Sequence, residues 1–358
     1  IVRPADDPVY RTIAYKARPI RLGRGTAPVE LNLPFTLPAP VLAAGSHMKN
    51  TVALAWNDRL VISPHIGDLD SPRSRHVFAQ VIEDLQALYQ VTASALICDA
   101  HPGYASSRWA MNSGLPLTRV YHHEAHASAL ALEHWCDEDW LVFTWDGVGL
   151  GRDQTLWGGE ALIGQPGSWQ RAGSFVPFYL PGGEKAGREP WRSGAALCWQ
   201  ADVDWPGVPG NIELLKAAWD KRMNCPPTTA AGRLFDAAAA LTGILQNASY
   251  EGQGPVLLEH ASAPLRASEP LPLSPDEKSV LRADWSGIPA RLLDDSVPVA
   301  ERAAWFHSTL AHTLLHQAQV IAKQHDIKRI GLCGGVFQNR KLGDYVHDLL
   351  AHHGFDVY

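Results

Sequence analysis

The most constraining feature of this sequence is an order of strands and helices that occurs twice along the chain. Three apolar strands are predicted first, at Val41–Ser46, Thr51–Trp56 and Arg59–Ser63, and helices alternate with strands from there to about Trp135. Three more strands restart the order at Trp140, and a long helix, a strand and a helix follow from Arg302. We therefore predict a duplicated α/β fold, with two lobes and a cleft lined by loops at the carboxyl ends of the strands.

This order also predicts the domain boundaries. The chain has 358 residues, more than the ~250–300 at which a single core usually stops growing. Residues 1–38 are rich in Arg and Pro, and we expect an extended, unpacked arm that links to an upstream domain absent from this sequence. Residues 39–139 are predicted to form the first lobe and 140–358 the second. A mostly helical insertion at about 181–300 interrupts the second lobe.

Charge and hydropathy disfavour several classes of protein. The 31 Lys and Arg against 37 Asp and Glu give a net charge of −6, and no basic run is long enough to follow a phosphate backbone. No segment approaches the ~18 apolar residues of a membrane span, and the first residues do not resemble a signal peptide. We therefore expect no nucleic-acid partner, no membrane association and a cytoplasmic location. Five separated cysteines without a CxxC pair fit a reducing compartment.

The strongest local pattern is a pair of histidines at the start of a predicted helix. His122 and His126 are four residues apart, so both rings project from one helix face and can converge on one ion. Glu124 follows two positions after His122, not one, which disfavours the HExxH arrangement of zinc proteases. Capping of the helix, or bonding to backbone in a buried crossing, is the alternative explanation for these histidines.

A carboxylate comes at the end of the next predicted strand. Asp146 begins the segment DGVGLG, in which Gly147 and Gly149 would let backbone N–H groups approach a phosphate or another anion. Tight-turn glycines between strands are the ordinary explanation for such a segment. Two imidazoles and a carboxylate form a ligand set for zinc or iron with positions left open. The sequence therefore predicts a metal centre at His122, His126 and Asp146.

Two further glycine turns are candidates for contacts to a nucleotide. Gly334 and Gly335 lead from a strand towards Asn339, where a ribose or a base could lie against bare backbone. Lys49, with Asn50 beside it in the turn between the first two strands, could contact a phosphate. A solvated hairpin lysine is the alternative for Lys49.

Three charged residues of the insertion are weaker candidates. Asp236 and Glu251 lie beside small residues, and each could accept hydrogen bonds from ribose hydroxyls or lie on a helix surface. Arg188 could hold an anion through two hydrogen bonds or form a local ion pair.

Nine motifs, in this order, resemble the C-terminal part of the HypF family, the carbamoyltransferases that mature nickel–iron hydrogenases. They are GSHMKNT, SPHIGDLD, CDAHPGY, YHHEAHASA, DGVGLGRDQTLWGGE, PFYLPGGEKAGREPWR, TTAAGRLFDAAAALTG, ASYEGQ and CGGVFQNRKL. The resemblance covers about residue 39 to the last residue. It implies a fold of the actin/Hsp70/sugar-kinase type, shared with O-carbamoyltransferases and tRNA threonylcarbamoyl-transfer proteins.

The resemblance also implies a reaction and its partners. In this family carbamoyl phosphate and ATP, with Mg²⁺, give carbamoyl-adenylate, and the carbamoyl group passes to the C-terminal cysteine of HypE. The product is dehydrated to the cyanide ligand of the hydrogenase iron. No residue of the chain is then expected to act as a covalent nucleophile.

The family's site residues transfer to matching positions of this sequence. The metal ligands would be His122 and His126, with Asp146 as a further ligand. The resemblance implies contacts to the adenylate from the Asp146–Gly149 loop, Asp236, Gly252 and the Gly334–Asn339 turn. Together with the candidates taken from the residues alone, the set expected to contact the nucleotide is Lys49, Asn50, Asp146, Gly147, Gly149, Asp236, Glu251, Gly252, Gly334, Gly335 and Asn339. Two alternative functions are an O-carbamoyltransferase that acts on a small hydroxylated molecule and a nucleotide-binding scaffold without catalysis.

The sequence departs from the family pattern at both ends. Full-length relatives carry acylphosphatase, zinc-finger-like and adenylate-forming domains upstream. They also continue to a P-x-N-D-G-G segment with another metal-ligating Asp, whereas this sequence ends at Tyr358. We therefore expect a short-form member with an incomplete set of metal ligands.

Overall fold

The computed structural model of the protein describes residues 5–210 and 212–358. The chain separates into two compact units, one of residues 5–12 and Lys16–Ala125, the other of Ile13–Tyr15 and His126–Tyr358. The domain boundaries at 38/39 and 139/140 stay a prediction. Among the described residues, no helix combines the length and apolarity that crossing a bilayer requires.

Strands and helices alternate along most of the chain. The strands are β1 (Val9–Ile13), β2 (Lys16–Arg21), β3 (Val29–Asn32), β4 (Val41–Ala43), β5 (Ala53–Trp56), β6 (Arg59–Ile62), β7 (Ala95–Asp99), β8 (Leu117–Val120), β9 (Trp140–Leu150), β10 (Leu156–Gly164), β11 (Gln170–Phe175), β12 (Phe178–Tyr179), β13 (Pro227–Thr228), β14 (Leu273–Pro275), β15 (Leu281–Ala283), β16 (Arg329–Cys333) and β17 (Asp356–Val357). The α-helices are α1 (Pro72–Tyr89), α2 (Ala105–Met111), α3 (His122–Glu133), α4 (Trp191–Gln200), α5 (Ile212–Asp220), α6 (Ala231–Leu241), α7 (Gln253–Ala261), α8 (Ile288–Leu293), α9 (Val299–His325) and α10 (Arg340–His352). Short 3₁₀ helices cover Gly183–Gly187 and Gly335–Gln338.

The two main sheets contain the same arrangement of five strands. In the first unit, β4, β5 and β6 pair antiparallel, while β7 and β8 extend the sheet in parallel from the other side of β4. In the second unit, β9, β10 and β11 pair antiparallel, with β16 and β17 in parallel beyond β9. The repeated topology confirms the prediction of a duplicated α/β fold.

The N-terminal segment differs from the expected unpacked arm. β1 and β2 form a two-stranded sheet, and β3 pairs antiparallel with β6 at the edge of the six-stranded sheet. The four residues of β3 (VELN) alternate too briefly for a periodicity argument to detect them. Pairing with an existing edge strand supplies the hydrogen bonds that so short a strand needs.

The insertion also contains strands that a mostly helical pattern did not predict. β13 pairs in parallel with β10, and β12 pairs antiparallel with β13, so that the sheet of the second unit has nine strands in all. At its edge, β15 pairs in parallel with β11, and β14 pairs antiparallel with β15. Both are three-residue strands, so packing on a neighbouring edge decides their structure more than local propensity does.

The central strand and helix of the second unit, β9 and α6, are mostly apolar because they are buried. β9 begins with six buried residues, because sheet neighbours flank it and helices cover its faces. All eleven residues of α6 are buried, and its run of four alanines lets neighbouring elements approach closely. Phe235 of α6 packs edge-on against Phe306 of α9, with ring centroids 4.9 Å apart. The start of α6 lies against β9, where a Cβ on Gly232 would be 2.8 Å from the Cα of Gly147.

Candidate functional site

The residues of the predicted metal centre lie together. His122 and His126 are one turn apart on α3, and Asp146 lies on β9. One donor atom from each side chain falls within 4.8 Å of the other two, and all three residues are partly buried. His126 Nε2 is 3.2 Å from Asp146 Oδ2. The geometry brings together the three side chains that the sequence singled out.

The donor set fits a divalent metal ion. Zinc binds imidazole nitrogen and carboxylate oxygen at about 2.0–2.2 Å, so two ligands on one ion lie roughly 3–4 Å apart. The 3.2 Å separation of His126 and Asp146 is in that range, and the 4.8 Å limit for the set needs only small side-chain movements. Two nitrogens and one oxygen suit zinc or iron and leave positions for an oxygen of a substrate.

Asp99 belongs to this site, although sequence reasoning did not select it. It ends β7, and its Oδ2 lies 3.0 Å from His122 Nδ1. Its Oδ1 accepts a hydrogen bond from the backbone N–H of His101 at 2.8 Å, and its side chain is 5% exposed. The available signal was an acidic residue at the carboxyl end of a parallel strand, within the motif CDAHPGY that precedes the histidine helix.

The glycine turn after β16 lies against the end of β9. A Cβ at Gly335 would lie 2.8 Å from Asp146 Oδ1, and one at Gly334 would lie 2.3 Å from the carbonyl oxygen of Trp145. Gly334 also has φ of +100°, a left-handed value that favours glycine. These glycines are therefore needed for the turn to approach the metal-site carboxylate. Asp146 Oδ1 accepts a hydrogen bond from Gly147 N–H at 2.7 Å.

Glu251, a predicted nucleotide contact, lies beside Gly147, and Arg233 connects the predicted contact Asp236 to the same place. A Cβ on Gly147 would lie 3.7 Å from both Arg233 Nη2 and Glu251 Oε1. Arg233 Nη1 forms an ion pair with Asp236 Oδ2 at 2.9 Å. Arg233 is a residue that sequence reasoning missed, although it lies in the motif that contains Asp236. Burial raises the pKa of Asp236 to about 6, while the charge of Arg233 opposes that increase and Glu251 adds to it.

Two other predicted glycines have clear backbone roles. Gly149 pairs with Trp157 in the ladder between β9 and β10. Gly252 is the N-cap of α7 and has φ of +78°, in the left-handed region that glycine adopts without steric cost. Their contact with a nucleotide stays a prediction.

Asn339 has a structural role that its sequence position did not reveal. Its Oδ1 accepts the N–H of Leu342 at 3.0 Å and so caps α10, while its Nδ2 donates to His307 Nε2 at 2.8 Å. His307 in turn donates from Nδ1 to the carbonyl of Ala303 at 2.7 Å, and burial lowers its pKa to about 4. Glu259 Oε1 also accepts backbone N–H groups at the start of α10. A carboxylate therefore already occupies this helix N-terminus.

Lys49 and Asn50 belong to the first unit, in the turn between β4 and β5. The buried Asn50 donates from Nδ2 to the carbonyls of Ala44 and Ser46, so its amide holds the turn. Lys49 is exposed and has φ of +49°. Arg188 is exposed directly after the first 3₁₀ helix. The binding roles of these residues stay predictions.

Two profiles of known protein families match this chain. The family profile described as "Carbamoyltransferase, Kae1-like Domain, second subdomain" matches residues 142–358, and the "HypF Kae1-like domain" profile matches 36–133. The chain belongs to the HypF carbamoyltransferase family. The resemblance found in the nine motifs and the predicted fold class are thereby confirmed.

Curated relatives and solved structures agree with this assignment. A carbamoyltransferase HypF of Synechocystis sp. is 36% identical over 95% of this chain and 47% of its own length. A HypF homolog of Cupriavidus necator is 34% identical over 89% of this chain and 86% of its own length. Except for that homolog, the chain spans about half the length of these curated relatives.

Two solved HypF structures share the fold along the whole chain. A crystal structure of full-length HypF in the phosphate- and nucleotide-bound form matches with a TM-score of 0.91 and 30% identity, covering 100% of this chain and 58% of that one. HypF of T. kodakarensis matches with a TM-score of 0.87 and 25% identity, covering 99% of this chain and 49% of that one.

Proposed function

We propose that this chain performs the carbamoyl-transfer step of HypF chemistry. The substrate would be carbamoyl-adenylate, made from carbamoyl phosphate and ATP with Mg²⁺, and the acceptor would be the C-terminal cysteine of HypE. The thiocarboxamide product would supply the cyanide ligand of a nickel–iron hydrogenase. The observation that carries this proposal is the grouping of His122, His126 and Asp146 within 4.8 Å in a chain of this family. A cytoplasmic location remains part of the proposal.

The metal ligands would be His122, His126 and Asp146. A bound zinc or iron ion would supply Lewis-acid polarisation to a carbamoyl or phosphate oxygen of the substrate. The His122 ring is oriented by Asp99, and the approach of Gly335 limits where the Asp146 carboxylate can lie. Each of these two ligands therefore has a neighbour that restricts its position.

Other residues of the second unit would bind the adenylate. Glu251 is exposed and its carboxylate lies near Gly147, a position suited to accepting hydrogen bonds from ribose hydroxyls. Asp236 is buried and paired with Arg233. It would therefore stabilise the residues around Gly147, or accept a hydrogen bond from a ribose hydroxyl only if the nucleotide came close to it. The bare backbone of Gly334 and Gly335 would allow close contact with the nucleotide. The nucleotide found in a full-length HypF structure supports this assignment.

The transfer step needs no nucleophile from this chain. The acceptor thiol would lose its proton to solvent, its sulfur would bond to the carbamoyl carbon, and the C–O bond to AMP would break. The chain's own buried thiols are poor nucleophiles, because burial raises the pKa of Cys98 and Cys225 and raises that of Cys198 to about 12. This supports direct transfer to the acceptor.

The test supplies synthetic carbamoyl-adenylate and HypE to the wild-type chain and to two matched histidine variants. His126→Ala removes a metal ligand, whereas His134→Ala removes an exposed histidine just beyond the end of α3. We expect thiocarboxamide, detected by mass spectrometry as a 43 Da addition, from wild type and His134→Ala and not from His126→Ala. Equal transfer by all three forms would refute the role of the metal site.

The same assay separates the alternatives. Transfer to sugar alcohols in preference to HypE would indicate an O-carbamoyltransferase. Capture of HypE without any transfer, even with carbamoyl-adenylate supplied, would indicate a scaffold.

A further inference from the structure

We propose that Asp99 is a positioning residue that determines which nitrogen of His122 is available to a metal ion. This inference rests on the metal site of the proposed function. Asp99 Oδ2 lies 3.0 Å from His122 Nδ1, so a carboxylate, which can only accept, holds the ring in the tautomer with the proton on Nδ1. In that tautomer Nε2 is the nitrogen that carries the lone pair and would coordinate the ion.

Burial makes this contact a strong constraint. The side chains of Asp99 and His122 are 5% and 18% exposed, so little water competes for their hydrogen bond. The other carboxylate oxygen accepts the backbone N–H of His101 at 2.8 Å. Asp99 is thus fixed at both oxygens and cannot turn away from His122 without losing a buried hydrogen bond. An acidic partner of this kind also increases the basicity of a metal-ligating imidazole.

The second contact makes an asparagine substitution informative. The N–H of His101 can only donate, so Asp99→Asn should direct its amide oxygen to His101 and its NH₂ group to His122. An NH₂ group facing Nδ1 favours the opposite tautomer, with the proton on Nε2, where it blocks coordination. The shape and the hydrogen bond to His101 are retained while the polarity towards His122 is reversed.

The chain offers a matched control pair in the same unit. His47 Nε2 lies 2.8 Å from Asp70 Oδ1, and Asp70 precedes α1 rather than the histidine helix. Asp70→Asn therefore disturbs a carboxylate–histidine pair that does not include a metal ligand. Asp99→Ala completes the set, because it removes both hydrogen bonds without reversing their polarity.

The experiment measures zinc affinity of the full chain by competition with a chromogenic chelator, for wild type, Asp99→Asn, Asp99→Ala, Asp70→Asn and His126→Ala. We expect Asp99→Asn to lose about 10–100-fold in affinity and to bind no better than Asp99→Ala, with Asp70→Asn unchanged. A second readout needs no metal: ¹⁵N NMR of the His122 ring should show the proton on Nδ1 in wild type and on Nε2 in Asp99→Asn.

The outcomes separate this inference from the proposed function. Wild-type affinity and an unchanged tautomer in Asp99→Asn, with binding lost in His126→Ala, would overturn the role of Asp99 and leave the metal site standing. Equal zinc affinity of wild type and His126→Ala would overturn the metal site, and the role of Asp99 with it. If Asp99→Asn matches wild type while only Asp99→Ala is impaired, Asp99 has a structural role only.

Discussion

Arg233 Nη1 lies 2.9 Å from Asp236 Oδ2, one turn along α6, a helix in which every residue is buried. Such a pair is unusual in a buried, alanine-rich helix. Removing two charges from water costs desolvation free energy, which their mutual attraction offsets only in part. Burial raises the pKa of Asp236 to about 6 despite the neighbouring cation. The placement of this pair beside Gly147 is consistent with a functional reason for keeping it.

The first prediction concerns stability and pH at Asp236. A folded-state pKa of about 6, above the ordinary 3.8, means that the folded protein holds this proton more tightly than the unfolded chain. The free energy that this proton contributes to folding is fully present below about pH 4 and is lost as pH rises through 6. It amounts to on the order of 3 kcal/mol in total. Urea denaturation from pH 4 to 7 should show wild type losing stability relative to Asp236→Asn. A constant difference across this range would contradict the prediction.

The second prediction has the opposite sign. Burial lowers the pKa of His307 to about 4, below the ordinary 6.5, so the unfolded chain takes up this proton first. Stability from His307 is therefore complete above pH 6.5 and is lost as pH falls towards 4, again on the order of 3 kcal/mol. His307→Gln can keep both hydrogen bonds, to Ala303 and Asn339, without titrating. Its free energy of unfolding should fall less than that of wild type on acidification, and a parallel decrease would refute this.

Much of the fold could be predicted from sequence because its main strands and helices carry their own periodic signals. β5 and β6 lie within the predicted strands Thr51–Trp56 and Arg59–Ser63, and Asn57 between them has φ of +51°, a left-handed value that suits the turn of such a hairpin. Periodicity marks more apolar positions of α1 than the fold buries. Leu88 is 67% exposed, and Phe78 and Ile82 complete the buried face instead. Tertiary packing selects among apolar positions that periodicity alone leaves equivalent.

The candidate site was predicted only as far as local spacing reaches. His122 and His126 are four residues apart in one helix, so their common face follows from geometry. Asp99 lies far from His122 in the sequence, and Arg233 lies inside an apolar run. Only the folded chain reveals the contacts of these two residues. Asn339 is the opposite case, a residue chosen from its motif that has a structural role in the fold. Its amide oxygen caps α10 and its NH₂ group donates to His307, so both ends of the amide are used. A motif residue can therefore be structural without any local sign of it.

The third prediction tests the close approach of Gly335 to Asp146. A Cβ at this position would lie 2.8 Å from Asp146 Oδ1, and Gly335 has no left-handed backbone of its own. Gly335→Ala should therefore displace the carboxylate and reduce zinc affinity about 10-fold or more, while changing the melting temperature little. Gly334→Ala should instead destabilise the fold, because a Cβ meets backbone at 2.3 Å and φ is +100°.

Gly287 provides the control for that comparison. A Cβ there meets nothing within 4 Å and the backbone is not left-handed, so Gly287→Ala should match wild type in both affinity and stability. Wild-type zinc affinity in Gly335→Ala would show that Asp146 is not held by this turn, or that its carboxylate does not bind the metal.

The fourth prediction links metal binding to folding. An ion that binds only the folded protein stabilises it by RT ln(1 + [L]/Kd), about 2.7 kcal/mol when its free concentration is 100 times Kd. Zinc should therefore raise the unfolding temperature of wild type and of His134→Ala, and leave that of His126→Ala unchanged. His126 Nε2 also lies 3.2 Å from Asp146 Oδ2, so the substitution removes one metal ligand and one contact of a second ligand. Differential scanning fluorimetry against a chelator-treated reference measures the shift, and an equal shift in all three forms would place zinc binding elsewhere on the chain.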